Sequence, residues 1–62
     1  MKYTVVTIRG EDPIQTLDSL IDEVNHNIAK GWKPLGGISI CDFLYGGIVI
    51  TTVSQAMILE EL

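Results

Sequence analysis

One cysteine, Cys41, and one histidine, His26, in a chain of 62 residues leave this protein without an internal disulfide or a Cys/His zinc site, because tetrahedral zinc takes three or four protein ligands. Folds of this size bury only about 60% of their unfolded surface and usually draw on a disulfide, a metal or self-association to supplement the core. With the first two excluded, the expectation is a homo-oligomer. Apolar residues make up 47% of the chain and charged ones 19%, which excludes intrinsic disorder. The length fits one domain over residues 1–62, without separate catalytic and binding units.

The pattern along the chain predicts β-α-β-β. Lys2 to Arg9 is dense in β-branched and aromatic residues and closes at Gly10, as a strand does. Asp12-Pro13-Ile14-Gln15 is a helix start: Asp12 caps free N–H groups, Pro13 needs none at the first position, and Gln15 completes a capping-box spacing. Ile14, Leu17, Ile21, Val24 and Ile28 then recur at intervals of three and four, with Leu20 beside them, so an amphipathic helix runs to Gly31. Leu35 to Cys41 alternates Ile38 and Ile40 against Gly37, Ser39 and Cys41 and reads as the second strand, its outer side small. Gly36-Gly37, ahead of that strand, suggests a bulge or a close backbone approach. Asp42 to Gly47 is expected to be the hairpin loop, and Ile48 to about Leu59 a long third strand buried on both faces. The helix returns the chain so that the first two strands run the same way, and the hairpin sets the third antiparallel between them. The predicted fold is α+β: a three-stranded sheet of order 1-3-2 with one helix on one face. The other face is left as an apolar surface for assembly.

Eight acidic and four basic side chains give a net charge of −4, which argues against coating duplex nucleic acid, where many Lys and Arg neutralise phosphates. A small ligand with one or two phosphates needs only one placed Arg and a few N–H groups, and an oligomer repeats that Arg about its axis. No apolar run reaches the roughly 18 residues of a membrane-spanning helix. The start, Met1 to Val6, lacks the long apolar stretch of a signal peptide, so a cytoplasmic location is expected.

No catalytic set is legible. His26 stands on the polar side of the helix between Asp22 and Lys30, Cys41 has no activating partner nearby in sequence, and Asp22 and Glu23 point in different directions. No metal and no cofactor are expected. Arg9, the only arginine, stands beside Gly10 at a strand end, where it serves either a surface ion pair or a phosphate. Trp32, just past the helix, is either a packing anchor or a stacking surface. Tyr3 and Tyr45 are open to the same two readings, and Gly46-Gly47 reads as a turn rather than a ligand cradle.

Lys2-Tyr3-Thr4-Val5-Val6-Thr7, then Val24-Asn25, Ile28, Gly31-Trp32, Pro34, Gly36-Gly37-Ile38-Ser39-Ile40 and Gln55-Ala56-Met57 together resemble a known pattern. It is that of short bacterial and phage proteins of a domain-of-unknown-function family, KYTVV…VNxxIxxGWxPxGGISV…QAM. Arg9-Gly10-Glu11 is an elaboration relative to that family, and Cys41 to Gly47 departs from it. In size, β-α-β-β build and assembly the chain is also similar to phage anti-CBASS sponges, which sequester cyclic nucleotide signals such as cyclic GMP-AMP without cleaving them. The likeness implies a non-enzymatic, oligomeric sponge for a cyclic dinucleotide, a phage immune-evasion protein. No ligand residue carries over from that likeness; from the residue types here, Arg9 is expected to pair with phosphate, Trp32 or Tyr45 to stack on a base, and Ser39 or Thr51 to offer a hydroxyl, at sites between subunits. The alternative is a homo-oligomeric protein–protein module that docks a host or phage protein through the open sheet face and Phe43-Leu44-Tyr45. A small hydrolase, lacking an acid–base pair, comes last.

Overall fold

A computed structural model describes residues 1–61. The elements are β1 (Lys2–Gly10), α1 (Pro13–Ala29), β2 (Lys33–Pro34), β3 (Ser39–Tyr45) and β4 (Ile48–Leu59). The fold is α+β, with one helix and a sheet in which β1, β2 and β3 each pair antiparallel with β4. The sheet therefore has four strands where the sequence predicts three. β2 is the addition: Lys33 and Pro34 lie opposite Ile58 and Met57, and the Leu35 amide donates to the Ala56 carbonyl at 2.9 Å. Proline is tolerated here because β2 is an edge strand and needs no donor on its free side. The order agrees with expectation, the last strand lying between the first and the hairpin strand.

The hairpin is longer than predicted. β3 begins at Ser39 and runs through Asp42, Phe43 and Leu44 to Tyr45, so the expected six-residue loop shrinks to Gly46 and Gly47. Both glycines are left-handed, at φ 58° and 81°, the pair of positive φ values that a two-residue turn needs to match strand twist. Gly36, at φ 74°, also uses its freedom for a turn. The close backbone approach expected at Gly36-Gly37 is absent, since a side chain at either would meet open space. It occurs instead at Gly10, where a Cβ would collide with Thr16 Oγ1.

That approach sets the rotation of α1. Asp12 Oδ1 accepts from the Ile14 and Gln15 amides at 2.9 and 3.1 Å, and Thr16 Oγ1 donates to the Asp12 carbonyl at 2.7 Å. At the other end the Gly31 amide donates to Ile28 and the Trp32 amide to Asn27, with Gly31 at φ 99°, a Schellman close. Asp12→Ala removes the cap for two amides and should lower stability by about 1 kcal/mol; urea melts at fixed protein concentration read it, and an unchanged midpoint would assign the helix start to Pro13 alone.

With Thr16 against Gly10, α1 buries Thr16 and Leu20, with Leu17, Val24 and Asn27 half-buried. Ile14, Ile21 and Ile28, which the sequence pattern directs inward, stand exposed on one flank. The core is small: Leu20, Val53 and Met57 are the fully buried apolar side chains among the described residues, and together they contribute about 5–9 kcal/mol of burial. β4 is not buried on both faces as predicted. Thr51, Val53, Gln55 and Met57 point under the helix and are buried, whereas the alternate set is half-buried, because one helix covers one face only. Gln55 Nε2 donates to the carbonyls of Gly36, Leu35 and Ala56 at 3.1, 3.3 and 3.0 Å, tying the β2–β3 loop to the sheet.

The molecule is long, 48 × 16 × 16 Å. β1 ends opposite Thr51 while β3 and β4 continue to Tyr45 and Ile48. The tip of the hairpin is thus a two-stranded arm projecting beyond the body, and α1 packs on β1, β4 and β2 without reaching β3.

Candidate functional site: the open sheet face

Register decides which side chains share a face, since neighbours along a strand alternate and paired residues across strands do not. On the face away from α1, Thr7, Ser54 and Ser39 form one row across β1, β4 and β3, and Arg9, Thr52 and Cys41 form the next. Thr7 Oγ1 and Ser54 Oγ are 3.0 Å apart and hydrogen-bonded. Thr52 Oγ1 is buried and has no hydrogen-bond partner among the described residues. Toward the arm the rows become Phe43 with Ile50 and Tyr45 with Ile48; toward the body they become Val5 with Ala56 and Tyr3 with Ile58. A hydroxyl-rich band carrying one guanidinium is therefore bordered on both sides by aromatic and aliphatic side chains.

Of the five residues singled out from sequence, Arg9 and Ser39 share this band, on opposite sides of β4 and one row apart, about 12 Å between backbones. Tyr45 shares the face but stands four β4 positions from the Arg9 row, about 13 Å. Trp32 is half-buried just ahead of β2, whose first residue, Lys33, lies opposite Ile58, six positions the other way, about 20 Å off. Thr51 belongs to the opposite face: it is 2% exposed, and its Oγ1 donates to Asp42 Oδ1 at 2.8 Å. Sequence reasoning left out Thr7, Ser54 and Thr52. Thr7 was findable, because it shares the parity of Arg9 on β1; Ser54 and Thr52 were not, because their face depends on the β4 register.

Arg9 is exposed and takes part in no ion pair among the described residues, where Lys2 Nζ meets Glu61 Oε1 at 3.3 Å. Its charge is free for an incoming anion, with only neutral side chains beside it in the band. Among the described residues no pocket forms on one copy, and no group of three or more His, Cys, Asp or Glu is placed to hold a metal ion. A ligand on this flat face is enclosed only if a second molecule supplies the other wall. No helix among the described residues is long and apolar enough to cross a membrane. Comparisons with protein-family models, curated proteins and solved structures return no match.

Proposed function

We propose that this chain is a non-catalytic binding module that takes up a small anionic nucleotide between copies of itself, acting in the cytoplasm as a sponge for a cyclic dinucleotide signal such as cyclic GMP-AMP. The observation that carries the reading is the band on the open face, where Arg9, in no ion pair among the described residues, shares the face with the hydroxyls of Thr7, Ser54 and Ser39. A guanidinium offers two parallel N–H donors to a phosphate, and hydroxyls accept or donate to ribose and base edges. Phe43, next along the arm, and Tyr45 beyond it present aromatic rings to a base. Two copies facing each other across a two-fold axis offer the same residues to each half of a two-nucleotide ligand. Trp32 and Thr51 have no part in this site.

Titration calorimetry against a panel of cyclic dinucleotides tests the reading. Arg9→Ala should weaken binding by about tenfold to a hundredfold, the worth of a charge-assisted pair, and leave the melting midpoint unchanged because the side chain is exposed. Ligand recovered after heat denaturation should have its original mass. Heat signals absent for every nucleotide would refute the sponge and leave the protein–protein module, with Phe43, Leu44 and Tyr45 as its docking residues.

A further inference from the structure

β1 is the edge of the sheet that nothing guards. It pairs with β4 on one side only, so along its nine residues half of the N–H and C=O groups face outward. The register from Lys2 opposite Leu59 to Gly10 opposite Thr51 runs without a bulge, and between Lys2 and Arg9 there is neither a charge nor a proline. The opposite edge carries both guards, Pro34 in β2 and Asp42 at the midpoint of β3. We infer that β1 of one copy pairs antiparallel with β1 of a second copy about a two-fold axis at Val6, which joins the two sheets into one and sets Tyr3 of the second copy beside Arg9. The pairing does not depend on what the open face binds.

Register is the first argument for a second copy. A two-fold axis normal to the sheet keeps both open faces on one side, so open-face residues lie opposite only open-face residues. The one such register that engages all nine residues sets Val6 against Val6, Val5 against Thr7, Tyr3 against Arg9 and Lys2 against Gly10. It forms about eight to ten backbone hydrogen bonds. Like charges do not meet, because Lys2 against Arg9 would need a helix-face residue opposite an open-face one. Arg9, in no ion pair among the described residues, gains the ring of the partner's Tyr3 at cross-strand distance, and Tyr3, 63% exposed in one copy, gains a cover. A guanidinium stacked on a ring keeps its N–H edge free, so Arg9 stays open to an anion. Both open faces stay uncovered, and the pairing does not compete with the facing contact of the band.

The helix is the second argument. α1 packs chiefly on β1 and β4, so pairing at β1 sets the two helices side by side and antiparallel, about 10 Å apart, a packing distance. Thr16, which meets Gly10 of β1, is followed at sevens by Glu23 and Lys30, so these three share the flank toward the free edge. The axis at Val6 lies about 13 Å along β1 from Gly10, which is about nine residues down the helix from Thr16, near Asn25. Glu23 of one helix is then level with the partner's His26 and within a turn of the partner's Lys30. Asp18 and Asp22, each two residues from the buried Leu20, point away from the sheet and from this contact. Opposite signs therefore meet where the helices meet. A single extended peptide would fill the strand edge and leave this flank unmet, whereas a second copy satisfies both.

Cysteine crosslinking tests the register. In a Cys41→Ser background, which removes the free thiol, Val5→Cys and Thr7→Cys are made as separate chains and mixed. Residues 5 and 7 lie directly opposite in the inferred pair, at Cα distances that a disulfide spans, whereas each stands about 8 Å from its own counterpart, too far to bridge. The mixture should form the mixed disulfide at least about tenfold faster than either chain alone forms its own. Hydrogen exchange on the unaltered chain needs no substitution: the alternate β1 amides that face away from β4 should slow as protein concentration rises, and those of β3 should not. The pairing is overturned by a chain that stays monomeric in sedimentation equilibrium, by protection that rises on β3 instead of β1, or by equal oxidation rates in the mixture and the single chains.

Discussion

Leu20→Ala should remove most of the stability of this fold. Leu20 has no exposed surface and lies with Val53 and Met57 at the centre of the small core. Buried Leu→Ala changes cost about 2–5 kcal/mol, the spread reflecting how far the cavity collapses. The total stability of a chain this long is about 3–9 kcal/mol by the usual per-residue scaling. Collapse is hindered here because β4 is central in the sheet, with β1 on one edge and β2 and β3 on the other. Thermal melts followed by circular dichroism at fixed concentration should show a midpoint lowered by at least about 10 °C or no cooperative transition at all. A shift below about 4 °C would mean that α1 is held to the sheet by something other than this side chain. Ile14→Ala, the same class of change at an exposed position on the same helix, is the reference.

Gly10→Ala should be the second most damaging single change, and it should be rescued in part by Thr16→Ala. A methyl at residue 10 occupies the place of Thr16 Oγ1, and that hydroxyl is anchored by its bond to the Asp12 carbonyl. Thr16 is buried and β-branched, so its rotation exchanges one clash for another. Overpacking of this kind costs about 1–3 kcal/mol. Thr16→Ala removes the obstructing atom, and the double variant should be more stable than the sum of the two single effects by about 1 kcal/mol. Strict additivity in urea melts would show that strand β1 and helix α1 yield at this crossing and that Gly10 does not fix their spacing.

The same crossing shows why the helix was legible as an element and its orientation was not. Asp12, Pro13 and Gly31 mark its ends by local chemistry, and the structure uses all three. Which line of side chains faces inward depends on Gly10, eleven residues or more from the isoleucines it turns outward at Ile21 and Ile28. The hairpin taught a related lesson. Phe43-Leu44-Tyr45 looks like loop when two glycines follow, yet a two-residue turn leaves every large residue before it in the strand. β2 could not be read at all, since Lys33-Pro34 has no strand pattern and joins the sheet through backbone opposite Ile58 and Met57. On β4 both alternating sets are apolar or hydroxylic apart from Gln55, so the sequence leaves its facing open and assigns Thr51, and Ser39 on β3, alike to the candidate site. Pairing separates them: Ser39 lies with Ser54 on the open face, and Thr51 lies beneath the helix side beside Asp42.

Fold and proposed function join in the strand β4. Its twelve residues support the body at one end and the arm at the other, so a single antiparallel register places the hydroxyl band between them. The body is covered by a helix on one face, the arm on neither.

Native mass spectrometry of the unaltered protein, alone and with cyclic dinucleotides, cyclic trinucleotides and cyclic ADP-ribose isomers, tests the central claim in a single measurement. A dimer or a multiple of it that retains an unmodified nucleotide at fixed stoichiometry is the predicted result. A monomer, or an assembly whose mass is the same with every nucleotide as without, would contradict it.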